Sequence, residues 1–253
     1  MGSRFESKVV LITGATSGVG AAVARRVAAE GAAVVLGARG KEVGDRMVEE
    51  IRAAGGRAVF VPTDVTVEAD VERLTDAAVR EFGRLDAAFN NAGAVNAFGN
   101  VDEVDESGWR ADIELNLTSV YYGLRHQVPA LAASGGGAIL NNASNLGVVG
   151  MGQVAPYVAA KHGVVGLTRA VALEAADRGI RVNAVVSGAV DTPAFRASMG
   201  ATPDGEAAIA ALHPLGRISR PEEVASFCAY LLSDEASFIT GAALAIDGGF
   251  TAR

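Results

Sequence analysis

Cysteine is nearly absent: Cys228 is the only one in 253 residues. An intrachain disulfide and any cysteine-clustered metal site are thereby excluded. The three histidines, His126, His162 and His213, stand far apart without ligand spacing, and no metal is expected. No apolar run reaches the roughly eighteen residues needed to cross a bilayer. The opening MGSRFESKVV holds no apolar leader region. There is also no run rich in Lys or Arg. With 22 basic against 29 acidic residues the formal net charge is −7, which disfavours nucleic acid and anionic membranes as partners. Proline is scarce, seven in all, and three of these (Pro193, Pro203, Pro214) crowd into residues 187–214.

What is present is apolar. Half the residues are hydrophobic and a fifth charged, which suits a large buried core and argues against disorder. A soluble, cytoplasmic protein is expected. Short β-branched runs alternate with longer Ala-rich stretches. Residues 8–13, 33–36, 57–61, 85–89, 138–142, 180–185 and 243–246 read as strands. Residues 18–30, 41–54, 68–82, 105–133, 153–176 and 221–232 read as helices. Such alternation implies right-handed crossovers and a parallel sheet covered on both faces. Residues 187–214 fit least well and read as a lid: a loop with short helices over one end of the sheet. No linker or repeat interrupts the chain, so residues 1–253 are expected to form one domain.

The first strand runs into Thr13-Gly14-Ala15-Thr16-Ser17-Gly18-Val19-Gly20. Gly14 permits a tight turn, Gly18 lets the backbone approach a pyrophosphate, and Gly20 lets the next helix lie close to the strand. The helix start then offers free N–H groups to phosphate oxygens. With its spacing of Gly-x-x-x-Gly-x-Gly, the sequence resembles the short-chain dehydrogenase/reductase family. Further matches come in order: Asp64, Asn90-Asn91-Ala92-Gly93, Asn116, Ser144, Tyr157-x-x-x-Lys161 and Val182-Asn183. The ending Pro214-Leu215-Gly216-Arg217, Pro221-Glu222-Glu223, Thr240-Gly241 and Asp247-Gly248-Gly249 also matches. The resemblance covers residues 8–249. It implies an α/β, Rossmann-type doubly wound sheet of about seven parallel strands with helices on both faces.

The resemblance also implies a nicotinamide cofactor. Gly14, Thr16, Ser17, Gly18, Val19 and Gly20 would cradle its phosphates, and Asp64 with Val65 would hold adenine. Asn91, Ala92 and Gly93 would run along the ribose, with Val190 and Thr192 at the carboxamide. Asn90 reads instead as a strand-bridging residue. At Ser187 the family usually has Pro. NAD-preferring relatives carry Asp where this sequence has Ala38, and Arg39 comes next. A guanidinium suits a 2′-phosphate, so NADP is favoured, with NAD and adenine stacking by Arg39 as the alternatives.

Tyr157 and Lys161 are four apart on an expected helix, hence on one face. A phenol of pKa about 10 is a poor acid–base near neutrality, and lowering it by ~3 units takes ~4 kcal/mol. A nearby ammonium and an oxidised nicotinamide are the sources read here. Tyr157 would then donate a proton in ketone reduction and accept one in alcohol oxidation. Ser144 would donate to the substrate oxygen. By resemblance Lys161 also holds the nicotinamide ribose, and Asn116 anchors a water leading to Lys161. His162 and Cys228 read as structural.

The substrate would be set by residues 95–98, 145–153, Ala189 and the lid. Val95, Leu146, Val148, Val149, Met151, Phe195 and Met199 are apolar; Ser144, Asn145, Gln153 and Tyr157 add uncharged polarity. Phe98 and Trp109 read either as entrance residues or as surface packing, and the tail 250–253 as a contact to a neighbouring subunit. No cation other than Lys161 lies between Arg125 and Arg169. The expected substrate is a neutral, moderately apolar secondary alcohol or ketone, cyclic compounds included. The alternatives are a 3-oxoacyl-carrier-protein reductase and a non-catalytic NAD(P)-sensing regulator. The resemblance further implies a homotetramer.

Overall fold

The structure is a computed structural model that describes residues 3–252. Its first half comprises β1 (Val9–Thr13), α1 (Gly18–Ala29), β2 (Ala33–Ala38), α2 (Lys41–Ala53), β3 (Arg57–Pro62), α3 (Glu68–Phe82) and β4 (Ala87–Asn90). Next comes α4 (Glu106–Ile113), which passes through a π-helical turn, Glu114–Thr118, into α5 (Ser119–Ala133). The rest is β5 (Gly137–Asn142), α6 (Ala155–Ala175), β6 (Ile180–Ser187), α7 (Pro193–Arg196), α8 (Pro203–Ala211), α9 (Pro221–Leu232) and β7 (Ala243–Ile246).

The seven strands are parallel, in the order β3-β2-β1-β4-β5-β6-β7. The winding reverses between β1 and β4, and a crevice opens there at the carboxyl ends of the strands. Alternate side chains of each central strand enter opposite layers. Val10, Ile12, Val34, Leu36, Phe89 and Leu140 pack with Val23 and Val27 of α1, Ile51 of α2 and Leu231 of α9. Val9, Leu11, Val35, Ala88, Ile139 and Val182 face the other way, toward Leu74 of α3, Leu124 of α5 and Val164 of α6. Both faces are covered, which is why β1 and β2 are buried at every residue.

The boundaries differ from the sequence reading where tertiary partners intervene. β4 starts at Ala87 because the Leu85 N–H is taken by Ser134 Oγ at 3.0 Å. β6 runs on to Ser187, which pairs with Ile246; a proline there would remove a donor. The helix expected over 105–133 is divided by the π turn. The helix expected from 153 starts at Ala155, since Gln153 sits at φ 67. The two short lid helices are capped by Thr192 and Thr202, whose hydroxyls accept from Phe195 N–H at 3.2 Å and Gly205 N–H at 3.1 Å. Cys228 is buried, His162 is exposed, and Asn90 bridges β5 and α5 through Asn141 and Gln127 at 2.9 Å each.

Candidate active site

The carboxyl end of β1 forms a narrow cradle. Gly14 and Gly18 adopt φ of +62 and +51, a region glycine enters without strain. A Cβ on Gly18 would lie 2.8 Å from Thr192 Cγ2, so the turn and the lid base meet. A Cβ on Gly20 would lie 2.3 Å from Gly14 O, and α1 crosses directly against the turn. Ser17 is the N-cap of α1 and makes no side-chain cap, leaving the helix-start N–H groups to a ligand. Asn91 joins three strand ends: Nδ2 donates to Thr13 O at 3.0 Å, its N–H to Thr13 Oγ1 at 2.9 Å, and its Oδ1 accepts from Asn142 Nδ2 at 3.2 Å. Its side chain is thereby committed to structure. These features fit a dinucleotide pyrophosphate and ribose.

Thr16, Arg39, Asp64 and Val65 lie at the β1, β2 and β3 ends, outside the central cavity. Asp64 Oδ1 accepts from the Thr66 N–H at 3.0 Å and hydroxyl at 2.7 Å. Arg39 is exposed and, among the described residues, makes no ion pair or hydrogen bond.

The other half of the crevice belongs to α6, the π turn and the loop after β5. Tyr157 and Lys161 sit one turn apart, with Nζ 5.4 Å from the phenol ring centroid. Lys161 is 2% exposed and donates to Asn142 O at 2.8 Å. Burial pulls its ammonium down to about 8 against the opposing pull of the Asp112 carboxylate. Burial pushes the Tyr157 phenol up to about 12; the Ser144 hydroxyl works against this and Asp112 adds to it. Burial is the largest cause for both groups; the lowering of the phenol expected from Lys161 together with an oxidised nicotinamide belongs to the complex with cofactor.

Ser144 holds φ 61, a strained angle for a non-glycine residue that costs roughly 1–3 kcal/mol. Its Oγ accepts from Leu146 N–H at 3.3 Å and donates to Asn145 Oδ1 at 3.1 Å. Asn116 is fully buried in the π turn; its Nδ2 donates to Ala94 O at 2.8 Å and its Oδ1 accepts from Ala94 N–H at 3.1 Å. Asn116 and Lys161 flank Gly93, where a Cβ would lie 2.7 Å from Asn116 Oδ1 and 3.2 Å from Lys161 Nζ.

Tyr157 and Ser144 open into a cavity of about 380 Å³. Its apolar wall includes Val95, Leu146, Met151, Phe195, Met199 and Phe250. Asn145, Ala189, Val190 and Thr192 also line it, and among the described residues no Asp, Glu, Lys or Arg does. A larger cavity, about 480 Å³, lies at the opposite end of the strands, far from this chemistry. Its Arg4 and Arg84 are paired with Glu30 and Asp86, and its Arg181 with backbone carbonyls.

Three expected lining residues are corrected. Gln153 is exposed and outside the cavity; its backbone O accepts from Gly99 N–H at 2.9 Å. Val148 and Val149 also lie outside, because the 3₁₀ turn Asn145–Gly147 directs the chain away. Phe98 and Trp109 are exposed and line none of it. Phe250, read as a contact to a neighbouring subunit, faces its own cavity and packs against His213 with ring centroids 5.3 Å apart and planes tilted by 53°. Four contributors escaped the sequence reading: Asp112, Asn142, His213 and Phe250. Only Asp112 carried a usable signal, its place one helical turn before Asn116.

A protein-family model described as enoyl-(acyl carrier protein) reductase matches residues 14–251. The chain belongs to the short-chain dehydrogenase/reductase family. The cyclohexanol dehydrogenase of Acinetobacter sp. (strain SE19) is 44% identical over 253 residues, covering 100% of this chain and 98% of that one. The cis-4-hydroxycyclohexanecarboxylate dehydrogenase of Sinomonas cyclohexanicum is 47% identical and aligned over 100% of both. The crystal structure of levodione reductase superposes with a TM-score of 0.94 at 36% identity, covering 98% of this chain and 99% of that one. As a short-chain dehydrogenase/reductase, the protein is an NAD(P)-dependent alcohol dehydrogenase or carbonyl reductase. None of its described helices is long and apolar enough to cross a membrane.

Proposed function

We propose that the protein interconverts a neutral cyclic secondary alcohol and its ketone, working as one dinucleotide-binding and catalytic unit. The observation that carries this is the cavity before Tyr157: apolar walls, uncharged polar groups at the reacting end and, among the described residues, no Asp, Glu, Lys or Arg in the lining. A bound carboxylate or phosphate would want a fixed cation there. Both aligned relatives are named for ring alcohols; the cyclohexanol dehydrogenase agrees with a neutral substrate, whereas the other is named for a ring alcohol that carries a carboxylate, and the family model's description refers to acyl carrier protein. Neither alternative, carrier-protein reductase or cofactor-sensing regulator, gains support from those relatives.

Tyr157 gives a proton to the carbonyl oxygen in reduction and takes it from the alcohol in oxidation. A rotation of the Ser144 hydroxyl away from Asn145 lets it donate to the same oxygen. Lys161 holds positive charge beside the phenol and would donate to the ribose of a bound nicotinamide, and Asn116 keeps the wall beside it fixed. A bound nicotinamide would supply hydride exchange at the substrate's carbinol or carbonyl carbon and, when oxidised, a positive charge beside the phenol. The apolar walls exclude water from that exchange.

A substrate panel tests this reading. Cyclohexanol and related ring alcohols should turn over with kcat/KM at least about tenfold above their carboxylated analogues, which leave a buried charge unpaired. Turnover confined to charged compounds would refute it.

The cofactor reading is NADP, carried by the exposed Arg39 guanidinium just after β2. Arg39→Ala should raise the KM for NADP(H) by about tenfold, the worth of one charge-assisted phosphate contact, and change that for NAD(H) little. Equal changes would point to adenine stacking. A cytoplasmic homotetramer completes the proposal; a monomeric mass in solution would contradict it.

A further inference from the structure

Asp112 is the most deeply buried acid near the site, with no exposed surface. Of the other buried carboxylates, Glu30 and Asp86 each hold an arginine, and Asp247 holds the Thr251 hydroxyl and backbone N–H groups of its own turn. Among the described residues Asp112 holds no arginine either, and its donors come from beyond its own turn. Oδ1 accepts from Asn96 N–H at 3.0 Å, Asn96 Nδ2 at 3.2 Å and Asn116 Nδ2 at 3.1 Å, and Oδ2 accepts from Ala97 N–H at 3.1 Å. Every partner is a donor, the pattern an ionised carboxylate takes. Those donors belong to two pieces of the site: the loop 94–97, which supplies Val95 to the cavity, and the π turn, which supplies Asn116.

We propose that Asp112 is a positioning residue of the reaction, tying the substrate loop to Asn116 and imposing a negative field on Lys161 and Tyr157. The proposal rests on the reading of Tyr157 as the acid–base group. From α6, packed against α4, the groups that feel Asp112 are Lys161 and Tyr157. On its own helix Arg110 and Glu106 pair with each other at the exposed face, and Asp105 caps the helix start. The loop 94–97 carries no ionisable side chain. The field has a definite sign. A negative charge favours protonated Lys161 and disfavours phenolate, so both groups hold their protons to higher pH with Asp112 than without it.

The chain has only three lysines, Lys8, Lys41 and Lys161, so ¹³Cε NMR with lysine labelling resolves Lys161, assigned by its loss in Lys161→Met. In Asp112→Asn, Lys161 should titrate about one pH unit lower than in the wild type. The rising limb of kcat/KM for cyclohexanol oxidation should move to lower pH with it. Asn96→Ala, which loosens the loop and keeps the charge, should raise the KM for cyclohexanol several-fold and leave the Lys161 titration in place. An unmoved titration in Asp112→Asn, or an equal movement in Asn96→Ala, would overturn the proposal. Should the asparagine set its amide against Ala97 N–H and prevent folding, Asp112→Ser replaces it; failure of both to fold assigns Asp112 to stability alone, which also overturns the proposal. If the wild type turns over no ring alcohol, the functional reading falls, while the NMR titration still decides the field.

Discussion

Phenylalanine in place of Tyr157 is expected to reduce kcat by about 1,000-fold or more, the scale of a lost general acid–base. Cofactor affinity should stay within a few-fold, because the cradle at Gly14 to Gly20 and the Lys161 donor remain. Nicotinamide absorbance reports turnover, and protein fluorescence reports cofactor binding. Residual turnover above about a tenth of wild type would place the proton transfer on another group. Burial pushes the phenol up to about 12. Bringing it from there to neutrality takes about five pH units, ~7 kcal/mol. Lys161 and an oxidised nicotinamide would act together against that rise; because Tyr157 must be deprotonated to take the alcohol proton, alcohol oxidation should quicken as pH rises and ketone reduction should slow.

Gly20→Ala is the second large effect. The added methyl would meet Gly14 O at 2.3 Å and Asn91 Nδ2 at 2.6 Å. Gly14 O is backbone, and Asn91 is tied to Thr13, so neither yields cheaply. The expected cost is about 1–3 kcal/mol of stability. Cofactor affinity should fall at least about tenfold, as a shift in the turn misplaces its N–H groups. Gly55→Ala is the contrast. It carries φ +85 but has no atom within 4 Å of the new methyl. It should cost about 1–2 kcal/mol through backbone strain alone and leave cofactor binding intact. Chemical denaturation and cofactor titration on both variants check this. Comparable cofactor losses in the two would show that steric pressure on the turn is not the cause.

The sheet, its order of elements and the Tyr157–Lys161 face were legible in the sequence because they rest on local pattern. Strand runs buried on both faces are apolar at every position, and two residues four apart in a helix must share a face. The orientation of 145–153 was not legible. Whether Val148 or Leu146 meets the substrate depends on one 3₁₀ turn and on Gln153 entering the left-handed region, and neither residue type announces that. Gln153 looked like a polar lining residue, yet its side chain is exposed and its backbone carbonyl holds the Gly99 N–H outside the cavity. The phenol's raised value was hidden for a similar reason: a sequence gives the neighbours of Tyr157 but not how far burial outweighs them. Asp112 stands between the two cases, visible by spacing but silent as to its four donors.

The π turn at Glu114–Thr118 has a bearing on how this chain tolerates insertions and deletions. A π turn holds one residue more than the α-helix around it, and each added residue rotates the downstream helix by about 100°. α4 places Asp112 inward, and α5 buries Val120, Leu124, Gln127 and Leu131. Both faces point correctly only because the extra residue resets the phase between them. A single-residue deletion in this turn would straighten the helix and improve its local hydrogen bonding. It would also swing either the proton-handling side or the core-forming side toward solvent, so a locally better helix would make a worse enzyme.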